Sequence, residues 1–240
     1  GNLCEKSDVN AYENGIKSDV KNADITAIGE QPDLSSKTTE NSNSELNGNI
    51  YETDDNGEIY KQNDKLLPNT EYTINGNKYK TDKYGNKISC DCKPSYTENG
   101  IRNIKDQIES GGEERHEYDD GGHIIARILG GSEGEENLVP MRRTINRGDY
   151  KKMENEIAKN LQEGKNVDLH IDLEYEEDSK RPSKICAEYS VDSKSTFTEF
   201  DNQENSTELL NSLKDKISDE DYNNLNEEIE DMKSDGINAT

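Results

Sequence analysis

Two segments decide the fold: Tyr118–Gly131 (YDDGGHIIARILGG) and Glu136–Leu161 (ENLVPMRRTINRGDYKKMENEIAKNL). The first places His123 directly after two glycines, where a backbone without side chains can lie close to a ligand. The second brings Asn146 to the start of an amphipathic helix. No other part of the sequence has so many residues of unusual type at marked positions in so short a stretch. We therefore predict that these two segments carry the functional site.

The two segments predict a hairpin of strands. His123–Ile128 is short and rich in β-branched residues, which favours a strand. The glycines at 130, 131 and 134 predict the turn that follows. Asn137–Met141 is predicted to be extended, because Pro140 disfavours the helical conformation in the residue before it.

A helix is predicted from near Arg147 to Gly164. Its apolar residues share one face, as in an amphipathic helix: they are Tyr150, Met153, Ile157 and Leu161. Asn146 lies four residues before Tyr150, so it continues the same inward-facing row of residues at the N-terminus of the helix. Between Met141 and Lys152 the only acid is Asp149, against the basic residues Arg142, Arg143, Arg147, Lys151 and Lys152. A helix start also favours anions, so this basic island is suited to phosphate.

Strands are also predicted on both sides of this region. Residues 165–175 alternate between apolar and polar side chains, as does Ile185–Val191, and we expect these two runs to pair antiparallel. Upstream, NGNIYETDDNGEIY (Asn47–Tyr60) is repeated 28 residues later as NGNKYKTDKYGNKI (Asn75–Ile88). Asn-Gly between short alternating runs predicts a hairpin or strand pair in each unit. A spacer or docking element is the better interpretation of these units than a site.

The two ends of the chain are polar. Residues 1–46 are interpreted as a linker or disordered arm, and Thr97–Ser110 as a short helix or turn. Two helical stripes are predicted after Ser206: Leu209, Leu213 and Ile217, then Tyr222, Leu225, Ile229 and Met232. The acidic faces of this tail are interpreted as solvated, with docking to a basic partner as the alternative. The predicted divisions are an arm (1–46), a hairpin repeat region (47–95), a central domain (96–203) and an acidic helical tail (204–240).

Composition limits the function classes. The chain has 240 residues, a net charge of -24 and 28% hydrophobic residues, which predicts one modest core with solvated flanks. Such acidity argues against broad adhesion to nucleic acid, although an enzyme needs only a local basic groove. No apolar run approaches the ~18 residues of a membrane span. The chain starts at Gly1 without Met or a visible signal peptide, so we expect a processed or trimmed C-terminal piece.

The cysteines favour free or incidentally paired thiols. They are Cys4, Cys90, Cys92 and Cys186. Cys90 and Cys92 are too closely spaced for the usual zinc knuckle. A disulfide framework is typical of smaller chains that are richer in cysteine.

The central segments resemble the DNA/RNA non-specific endonucleases of the ββα-metal (His-Me finger) class, and within it the C-terminal nuclease domains of toxins secreted by the bacterial type VII system. In that class an Asp-x-Gly-His motif carries the general base, and Asp120–His123 matches it. An asparagine at the start of the following helix is the sole protein ligand to Mg²⁺, and Asn146 matches. Asn137 matches the asparagine that supports the site, and Glu154 the glutamate that contacts the metal's water cluster.

The resemblance extends from about Leu66 to Phe200, and it implies that the central domain, 96–203, is a ββα-metal nuclease domain. It implies an α+β fold with a ββα-metal core and a small antiparallel sheet, flanked by the disordered arm and the acidic helical tail. By resemblance, neutral His123 would take a proton from the attacking water, and Mg²⁺ on Asn146, or Mn²⁺ in its place, would neutralise the developing charge. Asp120 would fix the hairpin, and the products would carry 5′ phosphates.

One departure concerns Gly121, where many members of the class have an arginine that contacts phosphate. Arg143 or Arg147 must then bind the substrate, or activity is lower.

The resemblance implies a secreted, Mg²⁺-dependent endonuclease toxin that acts on DNA, with RNA as a further substrate, and that has a cognate immunity protein. Two alternatives remain: a weak or inactive nuclease-like binding module, and a nuclease for DNA uptake or scavenging.

Overall fold

The computed structural model describes residues 2–5, 40–98, 115–203 and 205–234. The strands are β1 (Asn43–Leu46), β2 (Asn49–Thr53), β3 (Ile59–Gln62), β4 (Lys65–Leu66), β5 (Glu71–Ile74), β6 (Asn77–Thr81), β7 (Lys87–Cys92), β8 (Asp119–His123), β9 (Leu138–Arg142), β10 (Val167–Tyr175), β11 (Pro182–Val191) and β12 (Lys194–Asp201). The helices are α1 (Arg143–Arg147), α2 (Asp149–Gln162), α3 (Ser206–Leu213) and α4 (Asp219–Ser234). Most of the predicted arm and of the helix or turn predicted at Thr97–Ser110 lies outside the described residues.

Asn-Gly turns organise the repeat, and the prediction of strand pairs there is confirmed. Asn47 and Gly48 turn β1 into β2, and Asn75 and Gly76 turn β5 into β6, all with positive φ. Such backbone angles are those of the tight turns that match strand twist. The strand β1 was not predicted, because its sequence NSEL carries no apolar alternation. The two units enter different sheets, ordered β1-β2-β3-β4 and β12-β11-β10-β7-β6-β5.

The six-stranded sheet carries most of the core. β10 and β11 pair antiparallel with Leu169 opposite Tyr189, which confirms the predicted pair. β10 also pairs with β7, so strands from both sides of residue 95 share this sheet. The boundary predicted between the repeat region and the next domain, at residues 95 and 96, stays a prediction. The six-stranded sheet contains strands from both sides of that boundary. Every strand pair in the described ranges is antiparallel, as expected of an α+β fold.

Tyrosines fill the core of this tryptophan-free chain. Tyr60, Tyr72 and Tyr79 stack in sequence, with ring centroids 4.9 and 5.1 Å apart. They pack with apolar side chains of β10 and of the inward face of α2, including Ile171 and Ile157. Each fully buried side chain of this size contributes about 1.5–3 kcal/mol to folding. One large cluster therefore spans the hairpin repeat, the central hairpin and the sheet.

The cysteines divide into one bond and two thiols. Cys4 and Cys186 form a disulfide with a Cα–Cα distance of 5.5 Å, whereas Cys90 and Cys92 are free and buried in β7. The expectation of free or incidentally paired thiols thus holds for the second pair. It did not anticipate a covalent link between the N-terminal segment and β11, because the partners are 182 residues apart and no local pattern joins them.

The central hairpin begins earlier in the sequence than predicted. β8 and β9 form a two-stranded sheet, with His123 opposite Leu138, and α1 follows β9 directly. The strand predicted at His123–Ile128 is wrong beyond His123. Ile124 and Ile125 are buried, but their N–H groups donate to the backbone and side chain of Asn137 rather than to a strand. The extended conformation predicted for Asn137–Met141 is confirmed in β9.

The predicted central helix is α2, and a short helix that was not predicted, α1, precedes it and is separated from it by Gly148. A β-carbon at Gly148 would lie 2.3 Å from the carbonyl oxygen of Thr144, which leaves room for glycine alone. The predicted inward stripe of α2 is confirmed, since Tyr150, Met153 and Ile157 are buried. The tail is helical as predicted, and Ile229 of the second predicted stripe is buried, but Leu225 and Met232 of that stripe are exposed. In the first tail helix the buried residue is Leu210, which lies outside the predicted stripe. No helix in the described part of the chain has the length and apolarity needed to cross a membrane.

Candidate active site

The two adjacent acids of β8 point to opposite faces of the strand. Asp119 is 1% exposed and forms a two-pronged ion pair with Arg181, with Nε and Nη2 at 2.8 and 2.9 Å from its carboxylate oxygens. Arg181 also donates to the carbonyl oxygen of Asn202. This buried pair ties the hairpin to the turn before β11. Asp120 faces α1 instead.

Asp120 is the point at which three predicted site residues meet. Its carboxylate accepts hydrogen bonds from Asn146 Nδ2 at 3.0 Å, from Arg147 Nε and Nη2 at 2.7 and 3.0 Å, and from Arg143 Nε at 3.3 Å. Partial burial acts to raise the pKa of Asp120, but the bonds from Arg147, Asn146 and Arg143 outweigh it and hold this pKa below its usual value. The carboxylate is therefore ionised at neutral pH.

Asp120 fixes the orientation of the Asn146 amide. An ionised carboxylate can only accept hydrogen bonds, so the NH₂ group of Asn146 must face it. The carbonyl oxygen then faces the other way. A β-carbon at Gly122 would lie 3.2 Å from Asn146 Oδ1 and 2.8 Å from the β-carbon of Met141. The oxygen of Asn146 is thus held against the bare backbone of the residue before His123.

His123 ends β8 and is partly buried. Its strand brings it next to Gly122, against which Asn146 lies. The loop after it is built on Asn137, which is fully buried. Asn137 Nδ2 donates to the carbonyl oxygens of Ile125 and Ser132, both at 2.8 Å.

The remaining hydrogen-bonding capacity of Asn137 is also used inside the protein. Its Oδ1 accepts from the N–H of Ile125 at 2.9 Å and from the hydroxyl of Tyr79 at 3.0 Å. A β-carbon at Gly131 would lie 1.8 Å from the Ile125 carbonyl oxygen and 2.8 Å from Asn137 Nδ2, so this loop also requires a glycine. Asn137 is therefore arranged to position the loop that follows His123, with its polar atoms directed inward.

The other predicted residues lie on the two central helices. Glu154 is buried in α2 beside Lys151, whose Nζ is 3.2 Å away. Burial raises the pKa of Glu154, and Lys151 opposes that rise. Arg143 and Arg147 keep side chains that are 48% and 66% exposed while contacting Asp120, so both guanidinium groups can also meet a ligand from solvent.

Two contacts at this site were not predicted. The ion pair of Asp119 with Arg181 joins positions 62 residues apart, and that of Arg142 with Glu208 joins positions 66 apart. Strand alternation was a usable signal for the first, since neighbouring acids in a strand must face opposite sides. Only the folded chain shows the partner of each.

The donor set suits a hard cation at Asn146. Mg²⁺ prefers oxygen ligands and keeps several of its waters, so one fixed carbonyl oxygen beside an open backbone is a compatible ligand. Within the described residues, no group of three or more His, Cys, Asp or Glu side chains is arranged to hold a metal ion.

Comparison with known proteins gives concordant matches. A family model described as DNA/RNA non-specific endonuclease matches residues 68–193, which include the central hairpin, α1 and α2. The type VII secretion system protein EssD of Staphylococcus aureus (strain USA300) is 34% identical over 138 residues, or 53% of this chain and 22% of EssD. The probable deoxyribonuclease RhsA of Dickeya dadantii (strain 3937) is 33% identical over 70 residues, or 29% of this chain and 5% of RhsA. The chain thus matches about a fifth of EssD and a smaller share of RhsA.

Proposed function

The chain belongs to the DNA/RNA non-specific endonuclease family, and we propose that it is a Mg²⁺-dependent endonuclease that hydrolyses phosphodiester bonds of DNA through a ββα-metal site. One observation carries this proposal: Asp120 holds the amide of Asn146 so that its oxygen faces the backbone beside His123. The proposed oxygen ligand thus lies on α1 against Gly122, the residue that precedes the proposed base in β8. The order of two antiparallel strands followed by a helix supports the same class.

In this proposal His123 is the general base. A neutral imidazole near neutral pH accepts a proton from water, which then attacks phosphorus. Mg²⁺ or Mn²⁺ bound at Asn146 Oδ1 would supply positive charge to the phosphate and the leaving oxygen. Asp120 and Asn137 act as positioning residues, the first on Asn146 and the second on the loop after His123. Glu154 would act on the metal's water cluster.

Many members of the class have a phosphate-binding arginine at the position of Gly121. Arg143 and Arg147 are proposed to bind substrate phosphate in its place. Both guanidinium groups contact the carboxylate of Asp120, the residue next to Gly121, and both remain partly exposed. Asp120 offsets part of their charge, so we expect moderate substrate affinity. RNA, with the same backbone phosphates, is a second proposed substrate.

The biological setting is proposed from the relatives. Similarity to a type VII secretion system protein and to a protein named as a probable deoxyribonuclease supports a secreted nuclease toxin. A producing cell would need protection from such an activity, so a cognate immunity protein is the proposed partner.

Digestion of supercoiled plasmid by the full chain tests the proposed activity. Cleavage is expected with Mg²⁺ and not with EDTA, and His123→Ala should lower its rate by roughly 10²–10⁴-fold, the usual contribution of a general base. His116→Ala is the matched control, because His116 packs its ring beside Tyr118 and has no proposed role. A folded wild-type chain that cleaves neither DNA nor RNA would refute this function and favour a nuclease-like binding module.

A further inference from the structure

A single tail carboxylate covers the junction of β9 and α1. Glu208 accepts hydrogen bonds from Arg142 Nη2 at 2.6 Å and from Arg142 Nε at 3.1 Å. The hydroxyl of Thr144 donates to the same carboxylate at 2.6 Å. Both donors adjoin residues of the proposed site, since Arg142 precedes Arg143 and Thr144 lies two residues before Asn146 on α1.

The donors that hold Glu208 are also those that recognise phosphate. A guanidinium group binds carboxylate and phosphate by the same pair of parallel hydrogen bonds, and a hydroxyl group adds a third donor. The side chain of Arg142 is held in place from behind, because its Nη1 donates to the carbonyl oxygen of Asp201 at 3.0 Å. Its backbone N–H donates to Asn202 Oδ1 at 2.8 Å. The guanidinium fork is therefore preorganised, one residue before Arg143 of the proposed site.

The covering segment lies outside the region that matches the family. The family match ends at residue 193, whereas the tail helices α3 and α4 span residues 206–234. These residues include nine acids against three lysines, so the segment is strongly anionic. It contacts the hairpin a second time through the ion pair of Lys216 with Glu117, just before β8.

Glu208 stays ionised at neutral pH. Burial acts to raise its pKa, but the hydrogen bonds from Arg142 and Thr144 outweigh that effect and lower the pKa below its usual value. A permanent negative charge thus lies on the fork under the conditions in which a nuclease would meet its substrate.

We propose that Arg142 and Thr144 form a phosphate-binding subsite for the nucleic-acid backbone, and that the acidic tail covers it with Glu208 and so restrains substrate binding. The subsite extends the proposed nuclease function and rests on it. A duplex that enters the site must displace the carboxylate. The charge of α4 adds repulsion during approach of the duplex.

Duplex DNA binding by the full chain, measured by fluorescence anisotropy in EDTA, tests this proposal without catalysis. Glu208→Gln should bind a labelled duplex roughly tenfold more tightly than wild type at low salt, because one phosphate contact becomes available. Glu228→Gln is the matched control: it removes the same charge from an exposed position on α4 and should leave affinity nearly unchanged. Adding Arg142→Ala to Glu208→Gln should abolish the gain.

The outcomes separate this proposal from the proposed function. Unchanged or weaker binding by a Glu208→Gln chain that unfolds at the wild-type temperature would overturn the subsite and make Glu208 a structural contact only. An equal gain from Glu228→Gln would overturn it too, because bulk charge would then explain the effect. A gain that requires Arg142, in a chain without metal-dependent cleavage, would support the subsite while refuting the nuclease function.

Discussion

Neighbouring acids in β8 have different environments and therefore different expected roles. Asp119 is buried with Arg181 and anchors the hairpin to the sheet, whereas Asp120 is partly exposed and orients Asn146. Strand geometry alone separates them, since successive side chains face opposite sides. An identical substitution at the two positions should thus change two different quantities.

Asp120→Asn should weaken metal binding more than folding. The variant loses the charge that orients the Asn146 amide, and loss of such an outer partner typically costs 10–100-fold in metal affinity or activity. The measurement is the Mg²⁺ concentration for half-maximal plasmid cleavage, which should rise by roughly that factor. An unchanged Mg²⁺ requirement would contradict the positioning role of Asp120.

Asp119→Asn is the matched comparison. Breaking a buried ion pair leaves Arg181 with an uncompensated charge, which typically costs about 3–5 kcal/mol of folding free energy. Urea unfolding should show this loss, while the molecules that remain folded keep the wild-type Mg²⁺ requirement. If Asp119→Asn instead retained stability and altered that requirement, the division of roles between the two acids would be wrong.

The family was more predictable from the sequence than the contacts among the proposed site residues. The types and order of His123, Asn137, Asn146 and Glu154 pointed to the family from the sequence alone, and the family match confirms that identification. The contacts of Asp120 with both arginines were not predictable, because they depend on how β8 and α1 meet in space. The sequence indicated a basic island, and the fold shows that one carboxylate partly neutralises it.

At the scale of elements, local pattern succeeded where one face of an element is buried. The alternation of β10 and the inward stripe of α2 are both confirmed. Local pattern failed at Ile124 and Ile125, which are buried in a loop held by Asn137 and not in a strand. A short apolar run shows that residues are buried, but it does not show where their backbone hydrogen bonds go.

The pairing of β7 with β10 carries a charge-dependent contact. His170 on β10 lies between two carboxylates, with Nδ1 2.6 Å from Asp91 and Nε2 3.1 Å from Asp172. Hydrogen bonds to Asp172 and Asp91 outweigh burial and raise the pKa of His170 to about 9. Asp172 also accepts a hydrogen bond from the N–H of Leu3 at 2.6 Å, so the contact includes the N-terminal segment.

We expect the stability that His170 provides to decline in mildly alkaline solution. A raised pKa means that the folded state binds the proton more tightly than the unfolded state, so the stabilisation is complete below about pH 6.5 and is lost as pH rises through 9. The difference in unfolding free energy between wild type and His170→Gln should therefore shrink from pH 6 to 9.5. A difference that stays constant over this range would contradict a charged His170.

For the whole molecule, the disulfide is the longest-range constraint in the described structure. Replacing Cys4 and Cys186 together by serine should lower the free energy of unfolding by about 2–5 kcal/mol, as is usual for a bond that closes a long loop. The comparison requires urea unfolding of both chains without reductant.

A thiol count provides the control for that measurement. Wild type unfolded without reductant should show two reactive thiols, those of Cys90 and Cys92. In the folded state these two should react slowly, because burial raises the pKa of both and thiolate is the reactive form. Four reactive thiols on unfolding would show that Cys4 and Cys186 are not bonded.

The Cys4–Cys186 bond also has a consequence for transport. With partners 182 residues apart, it closes most of the polypeptide into a covalent ring. A ring cannot pass end-first through a channel that admits one extended strand, since two strands would have to enter side by side. Passage through such a channel therefore requires the dithiol form. If the chain then entered an oxidising compartment, where disulfides persist, the bond would re-form and prevent passage back through the channel.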